Sequence, residues 1–123
     1  MEIGAFTVSL VVKNIEKSYE FYSKLGFKQR SGDIKQNWVV LQNGNAVIGL
    51  FQGMFEKNIL TFVPGWDQDG KELEKFMDIR DLQKALLESG IKLKEMADET
   101  TTGPAYFTLE DPDGNQILFD QYR

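Results

Sequence analysis

The chain has 123 residues, enough for one domain with a buried core. A hydrophobic content of 41% with 12% aromatics excludes a disordered chain. A net charge of −5 without any Lys/Arg cluster argues against nucleic acid and anionic membranes as partners. No apolar run approaches the roughly 20 residues of a membrane-spanning helix. MEIGAFTVSL has no charged n-region and no signal-like apolar core, so a mature chain is expected. The sequence contains no cysteine, which removes disulfides and thiolate chemistry and suits the cytoplasm. It also contains no histidine, which removes the commonest general base and the commonest transition-metal ligand together.

In chain order, FTVSLVVK (residues 6–13) is β-branched and apolar and predicts a strand. NIEKSYEFYSKLG predicts a helix, with Asn14 as cap, Ile15, Tyr19 and Tyr22 at helical spacing, and Gly26 as the left-handed stop. FKQRSG, NWVVLQ and AVIGLFQ predict three strands, the last two joined through Asn43-Gly44. A connector rich in aromatics and turn residues follows, about residues 54–71. ELEKFMDI (residues 72–79) then predicts a strand, and RDLQKALLESG a helix with Leu82, Ala85, Leu86 and Ser89 on one face and Gly90 as the stop. IKLKEM, PAYFTLE and NQILFDQ predict three more strands, with Asp113-Gly114 at the last hairpin.

The second half therefore repeats the order of the first. Asn14 matches Asp81, Ile15 matches Leu82, Ile48-Gly49-Leu50 matches Ile117-Leu118-Phe119, and Gln52 matches Gln121. The offset is 67 residues at the helix and 69 at the last strand. This is an internal duplication of a β-α-β-β-β module, with module one at about 5–53 and module two at about 72–121. The expected class is α+β: two βαβββ modules forming a curved mixed sheet around a cavity. Each strand shows one face to its helix and the other elsewhere. Val8, Leu10 and Val12 oppose Thr7, Ser9 and Val11; Ile48 and Leu50 oppose Gly49 and Phe51; Met77 and Ile79 oppose Glu74, Phe76 and Asp78; Ile117 and Phe119 oppose Leu118 and Asp120. The aliphatic sets suit helix packing. The small, acidic and aromatic sets suit the walls of a small-molecule site.

The paired modules, the VVKNIEKSYEFYSKLGF opening and the EDPDGNQILFDQ ending resemble the vicinal oxygen chelate superfamily, over about residues 6–121. That group contains glyoxalase I, extradiol dioxygenases, fosfomycin-resistance enzymes and bleomycin-resistance proteins. The resemblance implies the fold, a pocket and often a homodimer. It also implies a divalent metal held by inward side chains of the first, fourth, fifth and eighth strands, which chelates two substrate oxygens. Here those positions fall on Thr7, Gly49, Glu74 and Leu118. Gly49 and Leu118 have no ligand atom and Thr7 is a feeble one, whereas a catalytic site takes about three protein ligands. No metal and no cofactor are therefore expected.

The candidate ligand pocket comprises Thr7, Ser9, Trp38, Gly49, Phe51, Trp66, Glu74, Phe76, Tyr106, Leu118 and Asp120. Trp38 and Phe51 are the leading aromatic wall. Trp66, in VPGWDQDG, suits a pocket lid. Glu74 reads as a cavity base or as a surface charge among Lys71, Glu72 and Lys75. Asp67, Asp69 and Gly70, like Asp111, Asp113, Gly114 and Asn115, read as turn formers rather than metal ligands. Thr100 to Gly103 form a polar loop that could close over a ligand or simply connect. The expected function is metal-independent binding of a hydrophobic or aromatic small molecule by a cytoplasmic homodimer. The alternative is a glyoxalase-like lyase, isomerase or dioxygenase with a non-standard metal site.

Overall fold

The computed structural model describes residues 1–123. It holds two helices and seven strands: β1 (Ala5–Val11), α1 (Ile15–Lys24), β2 (Lys28–Asp33), β3 (Trp38–Asn43), β4 (Ala46–Phe51), β5 (Ile59–Val63), α2 (Ile79–Glu88), β6 (Ala105–Glu110) and β7 (Gln116–Gln121). β1 pairs parallel with β4, while β2–β3, β3–β4 and β6–β7 pair antiparallel, so the sheet structure is mixed and the class is α+β. The chain divides into two compact units. The N-terminal unit is Thr7–Ile59, and the C-terminal unit joins Met1–Phe6 to Leu60–Arg123.

In the N-terminal unit the strand order is β2-β3-β4-β1. Ile15, Val39, Leu41 and Leu50 form its core, with Leu10, Tyr19, Tyr22, Phe27 and Ile48 packed around them. Ile15, Tyr19 and Tyr22 were marked for this face by helical spacing and Leu10, Ile48 and Leu50 by strand alternation. Two residues, Gly44 and Asn45, close the β3–β4 hairpin, and Gly44 takes φ 59°. Gly26 ends α1 at φ 96°, and Gly90 follows α2 at φ 85°.

In the C-terminal unit the order is β5-β7-β6. Ile79, Leu82, Phe107, Leu109 and Phe119 form the core, with Phe62, Met77, Leu86 and Ile117 against it. Three expectations fail here. The strand ahead of α2 is not residues 72–79 but Ile59–Val63, inside the expected connector. ILTFV is β-branched and apolar, while ELEKFMDI carries four charges and forms a single bridge, Trp66 to Glu72. IKLKEM forms no strand either, only the bridge Glu95 to Thr108. The chain is drawn off after it, because the Ala97 N–H donates to Gln83 Oε1 at 2.7 Å and Gln83 Nε2 donates to the Ala97 carbonyl at 3.1 Å. The second module is thus βαββ with one bridge where the first has a strand. Finally, the match to the first helix moves by three residues, and α2 begins at Ile79, one residue before RDLQKALLESG. Its cap is Asp78, which accepts from the Arg80 N–H at 2.9 Å, so Asn14 corresponds to Asp78 and not Asp81. Ser89, expected on the buried face, is exposed and donates to the Ala85 carbonyl.

With this correction the helices superpose in role. The first N–H of α1, at Ile15, donates to Gln52 Oε1 at 2.8 Å. The first N–H of α2, at Ile79, donates to Gln121 Oε1 at 2.7 Å. Helix-initial N–H groups have no partner within the helix, and here a glutamine supplies one, directly after β4 in the first module and as the last residue of β7 in the second. Gln121 also donates to Asp78 Oδ2 at 3.0 Å and to the Gly103 carbonyl at 3.1 Å, and it is 1% exposed. Burying these groups without partners costs about 1–3 kcal/mol each. Gln121→Ala is therefore expected to lower unfolding free energy by about 3 kcal/mol, and Gln52→Ala by about 1 kcal/mol, in urea titrations. Equal effects would show that the extra bonds of Gln121 contribute nothing.

Candidate functional site

Helix packing on one side of each sheet leaves the other side for function, and strand alternation decides which residues lie there. In the N-terminal unit Leu10, Val39, Leu41, Ile48 and Leu50 belong to the helix-side core. Thr7, Ser9, Val11, Trp38, Val40, Gly49 and Phe51 therefore share the opposite face. The register confirms their adjacency: Ser9 lies across from Gly49, Gly49 from Val40, Val11 from Phe51, and Phe51 from Trp38. The Trp38 and Phe51 rings are parallel within 9°, with centroids 6.4 Å apart, and Phe55 lies 5.2 Å from Phe51. Gly49 makes this possible. A Cβ there would meet Phe51 Cε2 at 2.5 Å, so the missing side chain is the berth for the Phe51 ring. Five candidate residues, Thr7, Ser9, Trp38, Gly49 and Phe51, are thus brought to one face.

In the C-terminal unit Phe107, Leu109, Ile117 and Phe119 face α2. Tyr106, Thr108, Leu118 and Asp120 take the other face, with Tyr106 across from Asp120 and Thr108 across from Leu118. Glu95 joins them from the bridge segment. Its carboxylate accepts from Tyr106 Oη at 3.2 Å and from Thr108 Oγ1 at 3.3 Å. The Glu95 charge, and then the hydrogen bond to it, push the Tyr106 phenol up, so it stays a donor. Asp120 is half-buried, and burial pushes its carboxyl up from the ordinary aspartate value. Glu95 was missed because a bridge has no sequence period to betray it, whereas Thr108 shares the alternation of Tyr106 in β6 and could have been read from it.

Trp66, Glu74 and Phe76 lie on neither sheet face. All three belong to the loop between β5 and α2, so the expected common strand face for Glu74, Phe76 and Asp78 does not exist. Glu74 is exposed in a bend. Trp66 and Phe76 line a pocket of about 330 Å³ together with Ile3, Leu73, Glu2 and Asp67. Arg123, which the sequence gives no signal for, stands with its guanidinium 4.7 Å from the Phe76 centroid and 6.0 Å from that of Trp66. Its Nη2 donates to the carbonyls of Gly65 and Leu73.

The remaining polar candidates hold loops. Asp67 Oδ1 accepts from the Asp69 and Lys71 N–H groups, and Asp111 Oδ1 from those of Asp113 and Asn115, as turn formers do. The Thr100–Gly103 loop is tied to α2. Arg80 donates to Thr101 Oγ1 at 2.9 Å and to the Gly103 carbonyl at 3.2 Å, and it pairs with Asp78 at 3.1 Å. Burial acts to raise the Asp78 carboxyl, but hydrogen bonds from Gln121 and Arg80, with the Arg80 charge, hold it below the usual range. The divalent metal implied by the resemblance does not fit these residues. Gly49 and Leu118 offer no donor, Glu74 is exposed on a bend, and no three carboxylates converge as a ligand group.

Comparison with known proteins identifies the fold. Among solved structures, a superfamily member from Vibrio splendidus 12B01 matches with a TM-score of 0.64 at 18% identity, covering 94% of this chain and 97% of that one. The Mn(II)-bound glyoxalase from Novosphingobium aromaticivorans matches with a TM-score of 0.60 at 16% identity, covering 97% of this chain and 39% of that one. An extradiol ring-cleaving dioxygenase from B. fuscum matches with a TM-score of 0.60 at 21% identity, covering 98% and 33%. A search of curated proteins finds no match. The sequence model of one family matches residues 4–119. The chain belongs to the Glyoxalase/Bleomycin resistance protein/Dioxygenase superfamily.

Proposed function

We propose that this protein binds a hydrophobic or aromatic small molecule without a metal, as a cytoplasmic homodimer. The observation that carries the reading is the Trp38–Phe51–Phe55 aromatic face beside Gly49 and Ser9. Parallel, half-buried rings over small neighbours give a flat ligand a stacking surface with little side-chain entropy to lose. The donor set at the family's metal positions supports the metal-independent part.

Native mass spectrometry of untagged protein, purified without chelator, tests this. A dimer carrying an organic adduct is expected, and the adduct should be lost in Trp38→Ala. A stoichiometric divalent ion that survives dialysis would overturn the reading. Gly49→Ala offers a second check. Its Cβ must displace the Phe51 ring, so near-ultraviolet circular dichroism from the Trp38–Phe51 pair should change and the adduct should weaken about tenfold. An unchanged spectrum would mean that the stack does not depend on Gly49.

One observation favours a second reading, proton transfer on a bound substrate. Asp120 is a half-buried acid across from Tyr106, on the face that also holds Glu95. Its folded-state pKa is raised, so the folded chain holds this proton more tightly than the unfolded one. Stability then falls as pH rises from the ordinary aspartate value through the raised one. Asp120→Asn should raise Tm at pH 7 and have little effect below the ordinary aspartate value. A lower Tm at pH 7 would show that the carboxylate has a stabilising partner instead.

A further inference from the structure

The outer edge of the C-terminal unit is open. The sheet ends at β6, and only residues 91–96 lie along it, through the bridge of Glu95 to Thr108. Lys94 N–H donates to the Thr108 carbonyl at 2.8 Å, Glu95 N–H to Thr108 Oγ1 at 3.2 Å, and Thr108 N–H to the Glu95 carbonyl at 3.1 Å. Two residues stand against one, the arrangement of a β-bulge. Both side chains lie on the Tyr106 face: Glu95 accepts from Tyr106 and Thr108, and Lys94 pairs with Glu110 at 2.7 Å. Leu93 lies on the other face, against the helix-side core. Alternation then puts Lys92 with Lys94 and Glu95, and Ile91 with Leu93, and the bulge returns Met96 to the side of Leu93. Ile91 and Met96 are 38% and 57% exposed, and Leu87 near the end of α2 is 39% exposed. Because Lys94 N–H faces β6, the backbone groups of Leu93 point outward, and the N–H of Leu93, like that of Met96, has no acceptor in the chain. The ion pairs of the chain join Lys24 with Glu20, Arg80 with Asp78, and Lys94 with Glu110. Lys92 is left without a counter-ion, and Glu95 is held by neutral hydroxyls alone.

We propose that this edge pairs antiparallel with the same segment of a second copy, about a two-fold axis at Leu93. The inference rests on the homodimer of the proposed function and names its interface. In this register Leu93 N–H donates to the Leu93 carbonyl of the second copy, and Met96 N–H to the Ile91 carbonyl of the second copy. Ile91 meets Met96 on the helix side, which covers apolar side chains that one copy leaves exposed. Lys92 falls opposite the bulged pair, where Glu95 of the second copy supplies its counter-ion and Lys94 is already neutralised by Glu110. The two-fold axis makes each contact twice. Lysines and bulges on an edge usually keep other strands away. Here they do so selectively. A foreign strand leaves Lys92 uncompensated, whereas this sequence brings the matching glutamate to the matching place. The second copy thereby contributes Lys92 to the face that carries Glu95, Tyr106 and Asp120.

The test is sedimentation velocity of the full chain over a dilution series, with amide hydrogen exchange read by NMR at both ends of the series. A dimer is expected, in which the Leu93 and Met96 amides exchange about tenfold more slowly than in the monomer. Lys92→Glu sets like charges against each other twice and should weaken the dimer about tenfold, and Glu95→Lys should do the same. Mixing these two variants should restore it, because each copy then brings the charge that the other lacks. Labelling one variant with ¹⁵N lets native mass spectrometry tell the mixed dimer from the others. Where Glu95→Lys loses its dispersed spectrum, Glu95→Gln, which keeps an acceptor for the hydroxyls and removes the charge, decides by the same weakening. A dimer that Lys92→Glu leaves intact, a mixture that stays monomeric, or Leu93 exchange that ignores concentration in a dimerising chain would overturn this interface and leave the homodimer standing. A monomer at every concentration would overturn both.

Discussion

The first N–H groups of a helix need acceptors from outside it. In both units that need is met by a glutamine where the last strand of the module closes, Gln52 directly after β4 for α1 and Gln121 as the last residue of β7 for α2. The position of each glutamine sets more than a cap. A strand alternates its faces, so a glutamine turned toward the helix obliges its predecessor to point away. Those predecessors are Phe51 and Asp120, the aromatic and the acidic members of the two candidate faces. Holding the helix and presenting the functional side chain are one act of backbone geometry, performed twice. That the two predecessors differ so much in chemistry shows how far the copies have diverged while keeping the cap.

Around the second cap the chain adds a network that the first lacks. Asp78, Arg80, Gln121 and the Gly103 carbonyl are mutually bonded, and Gln83, 0% exposed, clamps Ala97 from the next turn of α2. A buried polar network is stabilising only when its members are satisfied, and the one orphan here is Arg80 Nε. The consequence for function is that the polar loop before β6 is held from both ends. Threonines and glycine in a row suggested a segment free to close over a ligand, but Arg80 occupies the loop's own oxygen atoms.

Much of the fold was legible because burial imposes periods. Ile15, Leu50, Leu82 and Phe119 were all marked by helical or alternating spacing, and all are core. The matching of Gln52 with Gln121 was visible as a repeat, though its purpose as a cap was not. The errors arose where tertiary pull overrode local pattern. ELEKFMDI alternates like a strand, but it carries too much charge for a central position, and ILTFV took that place. IKLKEM alternates too, and Gln83 draws the chain away after a single bridge. The repeat match at α2 was off by three residues, Asp81 for Asp78, because either aspartate can stand opposite Asn14 in an ungapped comparison. The candidate faces were half legible. Ser9, Gly49 and Phe51 followed from alternation and Trp38 from its aromatic ring, whereas Glu95 and Arg123 act through contacts that no spacing encodes.

The two units are unequal in how the chain supplies them. The N-terminal unit is one continuous stretch, Thr7–Ile59, whereas the other needs Met1–Phe6 as well as everything after Ile59. Gly4 shows how intimate that first segment is, since a Cβ there would meet the Val63 carbonyl oxygen at 2.1 Å, and Phe6 is bonded through both its N–H and its carbonyl to Gln68. On the ribosome these facts impose an order of events. The continuous unit can close once its last strand and Gln52 have emerged. Met1–Phe6, synthesised before that unit, find their partners only after β5 and the Gln68 loop have followed. The segment Met1–Phe6 thus settles after residues made later than itself, and it waits through the folding of the unit that follows it.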